Sequence, residues 1–138
     1  MVPGMTNATP SDLEAARAYF DCFVQAFGTF DGAKVADLFA TPGVALRSDG
    51  SLVGLGTRDD VVRYYQTALD NYRRDGCRSC RWSQLSVVPM GRRGLLAAVT
   101  WNLLGEDGTA LVQWRQSYNL SCFDDDGLKA FASTSHAV

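Results

Sequence analysis

His136 is the single histidine in a chain of 138 residues, and so the one side chain whose unperturbed pKa lies near neutrality. Placed at the end of a cavity it could act as an acid or a base; placed at an exposed strand end it would do neither. Asp49, in Ser48-Asp49-Gly50-Ser51, could accept a proton if its carboxylate turned inward, although an Asp-Gly pair also simply builds a turn. Tyr118 and Tyr19 carry hydroxyls that could donate to a ligand oxygen or satisfy a backbone carbonyl instead. Trp101, Trp114 and Gln116 complete the set. Large aromatic walls with a few placed polar groups make a small-molecule pocket, and the same residues could also be plain core.

Cys77-Arg78-Ser79-Cys80 is a C-x-x-C, the spacing of a zinc half-site or a dithiol. Zinc needs further ligands, and no second pair accompanies it. The redox motif belongs between a strand and a following helix, whereas here the order is helix, then strand. Neither a metal nor a cofactor is expected, and Cys22, Cys77, Cys80 and Cys122 read as reduced thiols. Asn7-Ala8-Thr9 and Asn119-Leu120-Ser121 match glycosylation sequons, which matter only in a secreted chain.

These residues depend on elements that the pattern of the chain predicts. After a tail over residues 1–10, Ser11 and Glu14 have the spacing of a capping box, predicting a helix whose apolar face is Leu13, Ala16, Phe20, Phe23, Val24 and Phe27, with Gly28 as its C-cap. Asp31 caps a second, short helix carrying Val35, Leu38 and Phe39 and stopping before Pro42. Val44 to Arg47 and Leu52 to Val53 flank the SDGS turn as a small hairpin. Thr57 with Asp60 starts a third helix, with Val61, Val62, Tyr65, Ala68, Leu69 and Tyr72 on its apolar side, ending near Gly76.

From there the period becomes 2. Strands are predicted over about Ser79 to Pro89, Leu95 to Gly105, Thr109 to Phe123 and Leu128 to His136, broken at Gly91-Arg92-Arg93-Gly94, Asp107-Gly108 and Asp126-Gly127. A tight turn at Asp107-Gly108 sets Leu104 opposite Leu111 and Trp101 opposite Trp114. Val99, Trp101 and Leu103 then share an apolar face with Val112, Trp114, Gln116 and Tyr118, and Thr100, Asn102, Gln113 and Arg115 share the polar one. The fold class is α+β: three N-terminal helices on a curved antiparallel sheet of four long strands plus a short hairpin, one domain over residues 11–138.

The composition, 46% apolar and 20% charged with a formal charge of −2, is that of an ordinary packed domain and shows no basic excess for nucleic acid. Arg73, Arg74, Arg78 and Arg81 cluster where a helix ends, where cations complement its carbonyls. No apolar run approaches the ~20 residues that span a bilayer, and the first residues have no secretory pattern, so no membrane and a cytoplasmic location are expected.

The order of helix, short helix, hairpin, helix and four-stranded meander resembles the nuclear transport factor 2-like superfamily, with its cone-shaped cystatin-like roll, ketosteroid isomerases and SnoaL-like polyketide cyclases. The strings carrying the resemblance are DGAKVADLFATPGVALRSDGSLVGLGTRDDVVRYY, from Asp31 to Tyr65, and WRQSYNL, from Trp114 to Leu120. Matched residue by residue, ketosteroid isomerase's oxyanion tyrosine falls at Phe23, its general-base aspartate near Arg47 and its protonated aspartate near Gln116. Phe has no donor and Arg cannot accept a proton near neutrality, so dienolate isomerisation is disfavoured. The resemblance implies a pocket for a small, largely apolar molecule lined by Tyr19, Phe23, Trp101, Trp114, Gln116 and Tyr118. Tyr118, Asp49 and His136 are the candidates for chemistry such as isomerisation, cyclisation or hydration. The alternative is a non-catalytic homodimeric module associating through the outer face of Thr100, Asn102, Gln113, Arg115 and Asn119.

Overall fold

The computed structural model describes residues 7–122 and 127–137, so Phe123 and Asp126, the expected strand end and turn residue, lie outside the described residues. The first helix, α1 (Pro10–Gly28), is capped by Thr9, two residues before the expected cap. Thr9 accepts from the Asp12 backbone N–H at 3.1 Å while the Asp12 carboxylate accepts from the Thr9 N–H at 3.0 Å. This reciprocal box prevails over Ser11 and Glu14 because it places Pro10 at the first helical position, where its missing N–H costs nothing. Thr9 and Pro10 are therefore part of the start of α1. Gly28 is not the left-handed cap; α1 ends through Thr29, and the positive φ of 53° falls on Phe30.

Asp31 caps α2 (Gly32–Ala36) by accepting from the Ala33 N–H. Leu38 lies outside this helix, and Phe39 opens strand β1 (Phe39–Leu46), which continues through Pro42 and Gly43 to pair with β2 (Leu52–Leu55). A register shift between Phe39 and Val44 accommodates the proline, which cannot donate to a ladder. Thr57 and Asp60 form the expected capping box of α3 (Arg58–Arg74). The meander follows as β3 (Ser79–Pro89), β4 (Gly94–Leu104), β5 (Ala110–Cys122) and β6 (Leu128–Ser135), close to the expected bounds.

The six strands form one sheet in the order β2-β1-β6-β5-β4-β3. The four long strands pair antiparallel and β1–β2 form the hairpin, as expected; the sheet as a whole is mixed, because β1 joins it parallel to β6. Hairpin signals specify only neighbours in sequence, and this contact joins elements far apart along the chain. Trp101 pairs with Trp114 and Leu103 with Val112 as the Asp107-Gly108 turn requires, but a bulge then sets Leu104 against Ala110 and leaves Leu111 unpaired.

The concave face is covered by α1, and Phe20, Phe23, Phe27, Leu69, Val99, Trp101, Leu103, Tyr118 and Leu120 are buried between helices and sheet. The convex face hides its polar row. Thr100 and Asn102 are only 8% and 5% exposed. Gln113 donates to Asn102 Oδ1 at 3.0 Å, and Arg115 Nη1 donates to the Gln84 carbonyl at 2.7 Å and to Thr100 Oγ1 at 3.2 Å. Part of the outer face expected to meet a partner is thus already engaged within the chain. No described helix is long and apolar enough to cross a membrane.

Gly32 locks α2 against α3: a Cβ there would lie 2.6 Å from the Val62 carbonyl oxygen and 2.9 Å from the Gln66 N–H nitrogen, both backbone atoms. Ala is the better helix former by about 1 kcal/mol, but forced overpacking costs about 1–3 kcal/mol and relief here requires moving a helix. Gly32→Ala should therefore lower the urea midpoint, whereas Gly54→Ala, where an added Cβ meets nothing within 4 Å, should leave it nearly unchanged. Equal midpoints for the two variants would contradict this packing account.

Candidate functional site

Two indole N–H groups point inward from the paired tryptophans of β4 and β5. Trp101 Nε1 donates to the Tyr118 hydroxyl at 2.8 Å, and Trp114 Nε1 donates to Gln116 Oε1 at 2.7 Å. An indole can only donate, so each bond dictates the orientation of its partner. Tyr118 must receive with its oxygen, keeping its own proton to give, and the Gln116 amide must turn its NH₂ away from Trp114.

Both partners line a chamber of about 100 Å³ walled by Phe23, Phe27, Val35, Tyr65, Leu69, Trp101 and Leu103. Its neck is formed by Tyr64, Ala68, Tyr72, Trp114 and Gln116, which also line a wider vestibule of about 540 Å³. At the neck the Tyr72 ring lies 6.2 Å from Trp114 at an interplanar angle of 32°, with Phe27 stacked behind it at 6.0 Å. The vestibule adds Arg47, Ser48, Thr67, Asn71, Ser133 and Ser135, so polarity rises from the chamber outward.

Burial pushes the phenol pKa of Tyr118 and Tyr65 well above the usual tyrosine value, with the Trp101 bond partly opposing this at Tyr118. Tyr72 is raised first by burial and then by Tyr64 and Cys77, while the Arg47 charge acts the other way. All three stay protonated at neutral pH. No Asp or Glu lines either cavity among the described residues.

The structure brings Phe23, Trp101, Trp114, Gln116 and Tyr118 together around the chamber. It places Tyr19 behind the wall, where its hydroxyl donates to the Leu38 carbonyl at 2.9 Å and its ring packs on Phe20 and Phe23. Asp49 lies on the β1–β2 turn and lines neither cavity. Its Oδ1 accepts from the Ser51 hydroxyl and N–H, and these bonds, helped by Arg47, hold its carboxyl below the usual range. His136 borders the vestibule, but its Nε2 lies 2.7 Å from the hydroxyl of Ser117. Ser117 sits on β5 between the inward residues Gln116 and Tyr118, so this bond turns the imidazole toward the convex face. Asp49 thus lies outside both cavities, His136 stands at the vestibule with its ring engaged by Ser117, and Tyr19 packs behind the chamber wall.

Arg47 and Tyr72 join the site in roles that sequence reasoning missed. Tyr72 was legible only as part of the apolar stripe of α3. Arg47 follows inward-facing Ala45 by two residues, a period-2 signal that could have placed it on the concave side. The Cys77 and Cys80 thiols are buried, Cys77 donates to the Ser79 carbonyl, and burial pushes the Cys80 pKa up to about 12. They behave as core residues. No group of three or more metal-binding side chains occurs among the described residues.

A family model described as NTF2-like protein (DUF6841) matches residues 12–138. No curated protein matches the chain. Among solved structures, Aln2 from a Streptomyces species aligns with a TM-score of 0.78 at 11% identity, over 96% of this chain and 94% of that one. An NTF2-like protein with a cystatin-like fold from Novosphingobium aromaticivorans gives 0.72 at 13% identity over 93% and 82%. A cystatin-like domain of unknown function from Nostoc punctiforme gives 0.70 at 17% identity over 95% and 80%. Such identities establish the shared fold.

The indole bonds have a measurable stability consequence. Tyr118→Phe leaves the Trp101 N–H, in a side chain only 3% exposed, without an acceptor. That orphaned donor should cost about 1–3 kcal/mol in denaturant unfolding. Gln116→Leu, at the half-buried Trp114, should cost clearly less because water can reach that indole. A larger loss for Gln116→Leu would contradict the assigned depths.

Proposed function

The chain belongs to the NTF2-like family (DUF6841), and from that membership and its cavity we propose that it is a pocket protein binding a small, largely apolar molecule. The observation that carries this reading is a chamber with aromatic walls that Tyr118 and Gln116 line, each with a hydrogen-bond donor that has no partner among the described residues.

The size of the chamber narrows the ligand. An apolar cavity of roughly 150 Å³ admits benzene, so a chamber of about 100 Å³ suits one ring or a branched alkyl group with slight give in its walls. A fused-ring skeleton would extend through the neck into the vestibule. Proton abstraction is poorly supported, since no carboxylate among the described residues lines either cavity and the His136 ring bonds Ser117. Binding of a small, largely apolar molecule is the activity this geometry favours.

Homodimerisation through the convex face is a second reading, supported by exposed apolar side chains. Val88, Leu96, Asn119, Ala132 and Val44 form one register row across the sheet, with Val88 51% and Val44 39% exposed. Val88→Lys should shift the chain toward monomer in sedimentation velocity; a wild-type chain already monomeric at high concentration would contradict this reading.

The pocket is tested by titrating single-ring and branched-chain compounds while following tryptophan fluorescence and thermal unfolding. Binding on the order of 0.1 mM is expected for so small a ligand. Ala68→Phe, which plugs the neck, should weaken it at least tenfold. Absence of any response across the series in the wild-type chain would refute the pocket reading.

A further inference from the structure

We propose that the ligand carries a carboxylate, seated at the neck by Gln116, Arg47 and Tyr72 while its apolar body fills the chamber. This rests on the pocket reading above and assigns the chemistry of the ligand's polar end.

Trp114 supplies the first argument. Because its N–H must donate, Gln116 Oε1 is held facing Trp114 at 2.7 Å, and the amide NH₂ is left with two hydrogens and no acceptor among the described residues. Arg47 supplies the second. It lines the vestibule, makes no hydrogen bond or ion pair through its side chain among the described residues, and carries a guanidinium, the side chain suited to planar recognition of a carboxylate. Asp49 is the carboxylate whose pKa registers Arg47, but its own bonds go to Ser51 and it stands outside the cavity. The third is Tyr72, a protonated phenol at the neck whose hydroxyl has no partner among the described residues.

Tyr72 and Gln116 thus supply donors where chamber meets vestibule, Arg47 lies on the adjoining vestibule wall where its charge acts on Tyr72, and no acidic side chain among the described residues lines either cavity. A neutral ligand would leave the exposed guanidinium to water alone, and an ammonium would meet the positive charge of Arg47. One cation with neutral donors matches a planar monoanion better than a dianionic phosphate, which calls for more positive charge. The location of the group is as informative as its charge: beyond the neck the walls turn apolar, so the head stays at the mouth and the body goes in first.

Calorimetry with three single-ring probes tests this: phenylacetate, phenylacetamide and phenethylamine. Phenylacetate should bind roughly tenfold tighter than the amide, as expected for hydrogen bonds to a charged group, and phenethylamine weakest of all. The preference should shrink as salt rises from about 0.05 to 0.5 M. Arg47→Gln, at an exposed position, should bring phenylacetate down to the level of the amide without changing thermal stability. Gln116→Glu keeps an acceptor for Trp114 while replacing the two donors by negative charge, and should invert the order in favour of phenethylamine. Equal binding of phenylacetate and phenylacetamide, unaffected by Arg47→Gln, would overturn the carboxylate assignment and leave the pocket standing. Failure of all three probes to bind the wild-type chain would overturn both.

Discussion

An indole nitrogen has one hydrogen and nothing to accept with, and the interior of this protein is organised around two of them. Burying an N–H without a partner is costly, so Trp101 and Trp114 must each be met by an oxygen. The oxygens that meet them belong to Tyr118 and Gln116. Those residues each accept from an indole and keep their donors, so the residues lining the cavity between helices and sheet still have hydrogens to offer. The polarity of the site follows from a requirement of the core.

The scaffold keeps that arrangement in place from both sides of the sheet. The Trp101–Trp114 pairing fixes which residues of β4 and β5 face the helices. A slip of one residue would turn both indoles, Tyr118 and Gln116 to the convex face. On that face the Gln84, Thr100 and Arg115 bonds tie β3, β4 and β5 together, and Gln84 takes a φ of 53° at the bulge where its carbonyl meets Arg115. From the other side α1 lays Phe20 and Phe23 against the Trp101 and Tyr118 rings, at centroid distances between 5.1 and 6.0 Å. The open volume at the neck persists because the α3 position facing Trp114 and Gln116 is Ala68, too small to fill it.

Local chemistry carried most of the fold into the sequence. Capping boxes and a 3.6-residue apolar period announce α1 and α3, and paired glycine turns announce the meander and, through Asp107-Gly108, the inward face of β4 and β5. What escaped depended on contacts distant in sequence or on competition between local signals. The parallel β1–β6 pairing leaves no local trace. At the start of α1 two overlapping boxes compete, and Pro10 decides between them. Trp101, Trp114, Gln116 and Tyr118 were legible since one hairpin positions them all. Tyr19, Asp49 and His136 were not, because a hydroxyl finds Leu38, a carboxylate finds Ser51 and an imidazole finds Ser117 only after the chain has closed. The donor role of Gln116 needed the actual bond from Trp114, since an amide can face either way.

The central claim is that the indoles set the amide and the phenol as donors toward an open chamber, and a high-resolution crystal structure of the chain with phenylacetate tests it most directly. The account predicts the ring between Phe23, Leu69 and Trp101 with a carboxylate oxygen within hydrogen-bonding distance of Gln116 Nε2, and Trp114 Nε1 still on Oε1. A chamber closed by side chains, or a Gln116 amide turned so that its oxygen faces the cavity and Trp114 bonds elsewhere, would contradict it.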